Sequence, residues 1–347
     1  MPSDSDANCP LFAGIDVGGT NVKIGLVDDQ GRIVAASKFP THTEDSPDLA
    51  IRQARCGLDE LVDSTEFSWN DVAAVGLGTP GPMDIQSGKI LTPTNLPGWH
   101  NYPIQLELAK AVERPVTFAN DAAAAAFGEY WVGGGQAYPS IVLLTLGTGV
   151  GGGIIVNDFS IDGANSHGAE VGHMVVETGS DARICGCGQK GHLEAYASAT
   201  ALVNRTQEAM EDSSDGIKTV LSAQVSEAAP LSALMISNAA TAGDELAQRM
   251  VSETAVYLGR GIAQLAHVID PAAFILGGAM NFGGPGSESG QRFLAEVKTE
   301  VSGLVFPVLA ERLVVKFAAL GSDAGFVGAA GLARAQYNRN LVNSIQT

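Results

Sequence analysis

Short apolar runs that end in glycine turns predict strands along this chain. Leu11–Asp16 is such a run, VGGTN follows it as a turn, and VKIGLVDD resumes the strand pattern. Two short strands around a Gly-Gly turn are typical of a β-hairpin, and IVAASKFP predicts a third strand. The same arrangement returns in Ser140–Leu146, the glycine loop Gly147–Gly153 and the strand IIVND. This repeat predicts two related α/β halves.

Helical patterns and further strands fill the other stretches. Val72–Leu77 predicts a buried strand before a Gly/Pro turn, and PVTFAN predicts a strand that feeds the alanine-rich helix DAAAAAFGEYW. Asp244–Ile269 carries apolar residues at helical spacing. AAFILGG predicts a strand and a glycine turn, and DAGFVGAAGLARA predicts a terminal helix. The polar, weakly periodic stretch 208–227 predicts a surface excursion.

Composition and charge narrow the class of protein. A chain of 347 residues favours two domains. Its net charge of −18 is expected to repel nucleic acid and anionic membranes, which favours a small-molecule partner. The opening segment MPSDSDANCP lacks the apolar core of a signal peptide, and no run approaches the ~18 apolar residues of a membrane span. Four cysteines make no disulfide framework, so we expect a cytoplasmic protein.

The two glycine loops are candidates for binding phosphate, because glycine lets backbone N–H groups approach phosphate oxygens closely. The first loop, DVGGTN, has a lysine two residues beyond it, and the second loop is GTGVGGG. Gly147, Gly149 and Gly152 also match the dinucleotide pattern G-x-G-x-x-G, with Glu170 about 20 residues on. This match keeps an NAD-dependent oxidoreductase as an alternative. The pattern should open a helix, however, and the residues that follow favour a strand. The chain has no G-x-x-x-x-G-K-[ST] segment of a Walker-type ATPase.

Two aspartates stand where the chain leaves a predicted strand. Asp16 lies beside the first glycine loop, where it would either hold Mg²⁺ or form a turn. Asp121 follows a strand and begins a helix. It is either an N-cap or a general base that accepts the proton of an attacking hydroxyl, with Asn120 beside it to orient that hydroxyl.

A group of cysteine and histidine residues is a candidate metal site. Cys185, Cys187 and His192 lie within eight residues, and His173 lies twelve residues before Cys185. Tetrahedral zinc takes four such ligands, and the glycines between them let a short loop wrap the ion. A glycine loop with two unbound thiols remains the alternative. The remaining cysteines, Cys9 and Cys56, stand in unrelated contexts.

These segments together resemble the ROK family of bacterial sugar kinases, in particular its ATP-dependent glucokinases. The likeness runs from about Leu11 to Ala335 and rests on segments in the right order: GIDVGGTNVKIGLVD, GLGTPGPMD, NLPGWH, NDAAAAAFGEYW, LTLGTGVGGGI, GAEVGHMVVE, CGCGQKGHLEAYAS, FILGGAM and LGSDAGFVGAA. The resemblance implies an actin-like, hexokinase-like α/β fold of two ribonuclease H-like domains around a cleft. We expect a small domain of residues 11–120 with about 328–347, and a larger domain of residues 121–327.

The resemblance also implies roles for particular residues. Asp121 would be the catalytic base for the 6-hydroxyl of a hexose, and the likeness to glucokinases points to glucose as that hexose. The other sugar contacts would come from Gly81, Asn120, Glu170, His173 and Glu194. The ATP contacts would come from Asp16, Gly18, Gly19, Thr20, Asn21, Lys23, Gly147, Thr148, Gly149, Gly277 and Gly278, with Mg²⁺ bound alongside ATP. Polar side chains suit a site that pairs with hydroxyls, because such a site rejects sugars that lack them.

The chain departs from the family at the metal segment. The family usually carries three cysteines there, and His192 replaces the third. Because imidazole also binds zinc, we predict a structural Zn²⁺ held by His173, Cys185, Cys187 and His192.

Several alternatives share these motifs. Kinases for N-acetylmannosamine, N-acetylglucosamine or fructose are compatible with every segment quoted above. Some ROK proteins are repressors with a helix-turn-helix domain before the sugar-binding core, but only about ten polar residues precede the first strand here. A non-catalytic sugar sensor is the alternative of another class. The family also implies a homodimer or homotetramer.

Overall fold

Two five-stranded sheets organise the chain in the part that the structure describes. The computed structural model describes residues 9–41, 46–93, 96, 98–212, 218–226 and 229–346. Two residues of the NLPGWH segment and part of the predicted 208–227 excursion lie outside them. Within these ranges, no helix is both long and apolar enough to span a membrane.

The first sheet has the strand order β3-β2-β1-β4-β7. Its strands and the nearby helices are β1 (Leu11–Val17), β2 (Asn21–Val27), β3 (Ile33–Pro40), α1 (Pro47–Asp63), β4 (Val72–Thr79), β5 (Met83–Asp84), β6 (Lys89–Ile90), α2 (Ile104–Val112), β7 (Val116–Asn120) and α3 (Asp121–Trp131). The first three strands are antiparallel, whereas β4 and β7 run parallel to β1. β5 and β6 form a separate ribbon.

The second sheet repeats this order as β10-β9-β8-β11-β12. The second half of the chain contains β8 (Ser140–Leu146), β9 (Val150–Val156), β10 (Phe159–Ser160), α4 (Glu194–Ala197), α5 (Ala199–Glu211), α6 (Leu221–Gln224), α7 (Ala233–Thr241), α8 (Glu245–Ile269), β11 (Ala273–Gly277), α9 (Glu288–Leu304), α10 (Pro307–Arg312), β12 (Val314–Phe317) and α11 (Ala324–Gln346). β9 and β10 are antiparallel, and β11 and β12 are parallel. The repeated strand order confirms the two related α/β halves expected from the sequence.

Some element boundaries differ from the sequence expectation. β9 begins at Val150, so only Gly147–Gly149 form the loop that was expected to extend to Gly153. Sheet pairing satisfies the backbone groups of this glycine run and outweighs the weak strand preference of glycine. α11 continues well beyond the predicted terminal helix. The sequence analysis also missed helix α1, although Ser46 and Pro47 form a standard helix start signal.

By packing, the chain divides into two compact units. Unit 1 contains the residues up to Ile141, Gly153–Ala169 and the residues from Ala319 onwards, and unit 2 contains Val142–Gly152 and Glu170–Ala318. This division keeps α3 in unit 1, whereas the predicted larger domain begins at residue 121. The two units are defined by packing, whereas the predicted domains follow the repeat in the sequence. The predicted domain boundaries therefore stay a prediction.

In unit 1, helices cover both faces of the first sheet. Residues of α1 and α2 share one buried apolar cluster with β1, β2 and β4, and residues of α11 pack with the other face. α11 lies very close to the strands. A Cβ at Gly14 would lie 1.9 Å from the Phe326 carbonyl oxygen, and one at Gly76 would lie 1.8 Å from that of Ala329. Glycine at these two strand positions therefore permits the close approach of the helix.

A buried carboxylate ties α3 to the segment that leads into α11. Glu129 is fully buried, and its carboxylate accepts hydrogen bonds from the N–H groups of Gly134 (2.6 Å), Ala319 (3.0 Å) and Leu320 (2.7 Å). A buried carboxylate is tolerated only when it is well hydrogen-bonded, and three backbone donors meet that need. Glu129 thus fixes the start of the 319–323 turn relative to α3.

Candidate active site

Three parallel strands of unit 1 end along one edge of the first sheet. In the strand register, Asp16 of β1 pairs with Gly78 of β4, and Thr79 of β4 pairs with Asn120 of β7. Asp121 follows directly as the first residue of α3. The carboxyl ends of adjacent parallel strands are a common place for ligand sites. Asp16 and Asp121, predicted from separate motifs, therefore belong to the same edge.

The two carboxylates interact electrostatically. Burial is the main cause that raises the pKa of Asp16 to about 6; the negative charge of Asp121 contributes to the increase, and the ammonium of Lys23 opposes it. Perturbed carboxyl groups of this kind are concentrated at functional sites. A divalent cation at Asp16 would offset the repulsion, so the residues present fit a bound Mg²⁺.

The cap of α3 falls to Asn120 rather than to Asp121. The Asn120 side-chain oxygen accepts hydrogen bonds from the N–H groups of Ala122 (2.9 Å) and Ala123 (3.2 Å). Asp121 Oδ1 accepts from the N–H of Ala122 at 2.8 Å. The N-cap interpretation of Asp121 is therefore not what the structure shows. Its carboxylate lies at the helix N-terminus, where the helix dipole favours negative charge.

Lys23 is held by residues that the sequence analysis did not single out. Its ammonium donates a hydrogen bond to the carbonyl oxygen of Ser322 and lies 4.0 Å from Asp323 Oδ1. In the first turn of α11, a Cβ at Gly325 would lie 2.2 Å from Asp16 Oδ2. The turn before α11 therefore contacts Lys23, and the start of α11 packs against Asp16. The sequence analysis predicted a helix from Asp323 onwards and assigned no chemistry to this segment.

The first glycine loop is a tight turn between β1 and β2. The Gly18 N–H donates to the Asn21 carbonyl at 3.0 Å. Thr41 braces the turn, because its N–H donates to the Thr20 carbonyl and its hydroxyl to the Gly18 carbonyl, both at 2.8 Å. Gly19 and Thr20 are exposed at its tip. Gly81 lies in unit 1, two residues after the end of β4.

In unit 2, the second glycine loop lies against the turn after β11. A Cβ at Gly278, whose φ is +90°, would lie 2.2 Å from the carbonyl oxygen of Leu146. Leu146 directly precedes Gly147, and it accepts a hydrogen bond from the Met280 N–H at 2.9 Å. The structure therefore brings the predicted nucleotide residues Gly147, Gly277 and Gly278 together.

Glu194 lies between the second glycine loop and the cysteine and histidine group. Its Oε2 accepts a hydrogen bond from the Val150 N–H at 3.1 Å, and its Oε1 lies 3.6 Å from Cys185 Sγ. A Cβ at Gly149 would lie 2.2 Å from Glu194 Oε2, so glycine leaves the space that this carboxylate occupies.

Glu170 and His173 belong to one short turn of unit 2. Residues 171–173 form a 3-10 helix, and the His173 N–H donates to the Glu170 carbonyl at 3.1 Å. A Cβ at Gly172 would lie 2.2 Å from the Val150 carbonyl oxygen. The turn that carries Glu170 and His173 therefore packs on Val150, the same residue whose N–H binds Glu194.

The predicted metal ligands converge in unit 2. One ligand atom from each of His173, Cys185, Cys187 and His192 lies within 4.8 Å of all the others. The two histidine Nδ1 atoms are 3.2 Å apart, Cys187 Sγ lies 3.3 Å from His192 Nδ1, and Cys185 Sγ lies 3.8 Å from His173 Nδ1. Zinc bonds of about 2.0–2.3 Å in a tetrahedron require ligand separations of about 3.3–3.8 Å. The arrangement therefore fits a tetrahedral metal ion.

Backbone hydrogen bonds form the loop that carries these ligands. The Cys185 N–H donates to Gln189, the Gly188 N–H to Cys185 and the Gly191 N–H to Arg183, at 2.7, 2.8 and 2.9 Å. Burial raises the pKa of the Cys185 thiol to about 11. A bound metal ion would reverse this effect, because it holds the thiolate form.

Comparisons with known proteins agree with this arrangement. The model of the ROK family matches residues 12–336 of the chain. A glucokinase of Halalkalibacterium halodurans is 33% identical over 327 residues, which cover 94% of this chain and 96% of that protein.

Two solved structures are similar over nearly the whole chain. A ROK hexokinase of Thermus thermophilus is 29% identical with a TM-score of 0.79, and the match covers 95% of this chain and 99% of that one. A ROK family glucokinase of Streptomyces griseus, in complex with glucose and AMPPNP, is 34% identical with a TM-score of 0.72, and the match covers 93% and 99% of the two chains.

Proposed function

The chain belongs to the ROK family and has its two-domain actin-like fold, and we propose that it transfers the γ-phosphoryl group of ATP to the 6-hydroxyl of glucose. Both the family and the fold were predicted from the sequence and are confirmed. The predicted enzyme class, an ATP-dependent sugar kinase, is confirmed by the glucokinase relatives. Glucose is the sugar bound in the Streptomyces griseus glucokinase structure, which supports it as the substrate here.

The observation that carries the proposal is the Asp16–Asp121 pair at the edge of the first sheet. Holding a second carboxylate near a partly buried one raises the pKa of Asp16 and opposes its ionisation. Such an arrangement disfavours the folded state, and it is explained when the two groups have separate chemical tasks. A sensor that only binds sugar has no need of it.

In the proposed reaction, Asp121 is the general base. Its carboxylate takes the proton of the sugar hydroxyl as the hydroxyl oxygen attacks the γ-phosphorus, the bond from that phosphorus to ADP breaks, and ADP leaves. The Asn120 oxygen caps α3, so its amide nitrogen is the group available to orient the hydroxyl. Glu170, His173 and Glu194 would bind the other hydroxyls.

The remaining residues would stabilise negative charge. Asp16 would hold the Mg²⁺ that accompanies ATP, and this ion neutralises phosphate charge when bound. Lys23 and the N–H groups of the two glycine loops would face the phosphates, contributed by Gly18, Gly19, Thr20, Asn21, Gly147, Thr148 and Gly149. Gly277 and Gly278 would lie near the nucleoside, and Gly81 near the sugar.

The test of the proposal is ADP release from purified protein with ATP·Mg²⁺ and a panel of hexoses. We expect a glucose-dependent rate well above the rate without sugar. If ADP release is stimulated only by N-acetylmannosamine, N-acetylglucosamine or fructose, the proposed mechanism stands and that sugar is the substrate instead of glucose. If no sugar stimulates ADP release but calorimetry shows that glucose binds, the kinase proposal is overturned in favour of a sugar sensor.

The metal cluster is proposed to hold a structural Zn²⁺ that orders the loop carrying Glu194. The ligand separations support zinc, and both histidines present Nδ1 to the cluster, which leaves Nε2 of His173 for the sugar. Purified protein should contain one zinc ion per chain, and Cys187→Ser should lose it and bind hexose more weakly. Cys56→Ser, which changes an exposed cysteine of unit 1, is the matched control. Equal zinc content and hexose affinity in Cys187→Ser would contradict the site.

The cytoplasmic location and the oligomeric state stay predictions. None of the four cysteines forms a disulfide, and a reducing cytoplasm would keep them in this state. The predicted homodimer or homotetramer is addressed by sedimentation of the purified protein.

A further inference from the structure

The segment that begins at Glu194 holds consecutive residues of the second glycine loop. The Ala199 N–H donates to the Gly147 carbonyl at 2.8 Å, and the Thr200 hydroxyl donates to the Thr148 carbonyl at 2.8 Å. Glu194 accepts from the N–H directly after the loop. The loop is thus fixed at both ends by one short segment.

The Thr200 hydrogen bond is not a routine feature of a helix. Thr200 is exposed and is the second residue of α5. Threonine hydroxyls inside helices usually bond to a carbonyl of the preceding turn of the same helix. Thr206 of α5 and Thr299 of α9 do so, with Leu202 at 2.7 Å and Ala295 at 2.9 Å. Thr200 has no preceding turn within α5, and its hydroxyl donates to the carbonyl of Thr148, 52 residues earlier in the sequence.

These carbonyl contacts set the direction of the loop N–H groups. In a trans peptide, the carbonyl of one residue and the N–H of the next lie in one plane and point in opposite directions. Because the Gly147 and Thr148 carbonyls point at the start of α5, the N–H groups of Thr148 and Gly149 point away from that helix. Phosphate binding depends on such aimed backbone donors.

We propose that Thr200 is a positioning residue for the ATP phosphates. Its hydroxyl fixes the peptide between Thr148 and Gly149, and the N–H of that peptide is a donor for a phosphate oxygen. This role rests on the proposed function, since it presumes that the loop binds ATP. Thr200 itself touches neither ATP nor sugar in this account.

The test compares variants that differ in one hydroxyl. Thr200→Val keeps the branched shape and removes the donor, Thr200→Ser keeps the donor, and Thr299→Val is the matched control that loses a hydroxyl within its own helix. We expect Thr200→Val to raise the KM for ATP about twofold to tenfold, the loss typical of one hydrogen bond. The KM for hexose and the hexose affinity without nucleotide should not change. Thr200→Ser and Thr299→Val should match the wild type.

Three results would overturn the assignment. One is an unchanged KM for ATP in Thr200→Val. Another is an equal loss of hexose and ATP affinity, which would indicate general damage to unit 2. The third is a serine variant as impaired as the valine variant. If the wild type lacks kinase activity, the proposed function has failed. AMPPNP binding by calorimetry then tests Thr200 separately, with weaker binding expected in Thr200→Val only.

Discussion

Replacing Asp16 by asparagine should stabilise the folded protein near neutral pH while it removes the kinase activity. Asparagine has nearly the shape of aspartate but carries no charge, so it removes both the burial of an ionised group and its repulsion from Asp121. The variant therefore separates the stability of the fold from the chemistry of the site.

The magnitude follows from the pKa of Asp16. This pKa is about 6 in the folded protein, against an ordinary value of 3.8. One pKa unit corresponds to 1.36 kcal/mol, so ionised Asp16 lowers the free energy of unfolding by about 3 kcal/mol. We expect the variant to recover a gain of this order at pH 7.5.

The gain should depend on pH in a defined direction. Between about pH 4 and pH 6, folded Asp16 keeps a proton that the unfolded chain has released, so the wild-type free energy of unfolding decreases as the pH rises. Below this window both states are protonated, and the aspartate and asparagine proteins should be similar. The difference between them should grow by about 2 kcal/mol from pH 4.5 to pH 7.5.

Urea denaturation in Mg²⁺-free buffer at these two pH values measures the effect. Glu66→Gln is the control, since it replaces an exposed acid of unit 1 by its amide. Equal stability of Asp16→Asn and wild type at pH 7.5, or a difference that does not change with pH, would refute the reasoning.

Three other predictions follow from single contacts. Glu129→Gln should lower the free energy of unfolding by about 2–4 kcal/mol in urea, because an amide cannot accept all the backbone donors that meet the buried carboxylate; an unchanged midpoint would contradict this. Gly149→Ala should raise the KM for both substrates because its Cβ would displace Glu194. Gly303→Ala is the control, since its Cβ would meet open space and should leave the kinetics unchanged and the stability equal or higher. Equal kinetics in the two variants would contradict the prediction. The kcat/KM for ATP·Mg²⁺, which reports the enzyme before ATP·Mg²⁺ binds, should fall as the pH decreases through about 6, where Asp16 becomes protonated. A value that stays constant to pH 5 would exclude this role.

Local patterns in the sequence were sufficient for the framework of the fold. The hairpins around the two glycine loops depend on short-range alternation and turn residues, and both sheets show the predicted repeat. The apolar spacing within α8 was likewise enough to predict a helix with one buried face, since Leu246, Leu258 and Ile262 are all buried. The cysteine and histidine cluster could be predicted because its residue types and spacing are local as well.

Contacts between distant segments could not be found in this way. Glu129 stands in an alanine-rich helix, where a glutamate is typical of a solvated face, and its partners Ala319 and Leu320 lie far along the chain. Thr200 is an ordinary residue for a helix start, and only the structure shows its bond to Thr148. In both cases tertiary packing decides the role of the residue, and one sequence carries no signal for it.

The central claim is that Asp121 is the base of an ATP-dependent glucose kinase. The most direct test measures the single-turnover rate of phosphoryl transfer from labelled ATP to glucose in Asp121→Asn. Glu288→Gln is the matched control, because it removes an acid from the first position of another helix. The account predicts a rate lower by about 10²–10⁴ in Asp121→Asn with glucose binding retained, and an unchanged rate in the control. A near-normal transfer rate in Asp121→Asn would contradict it.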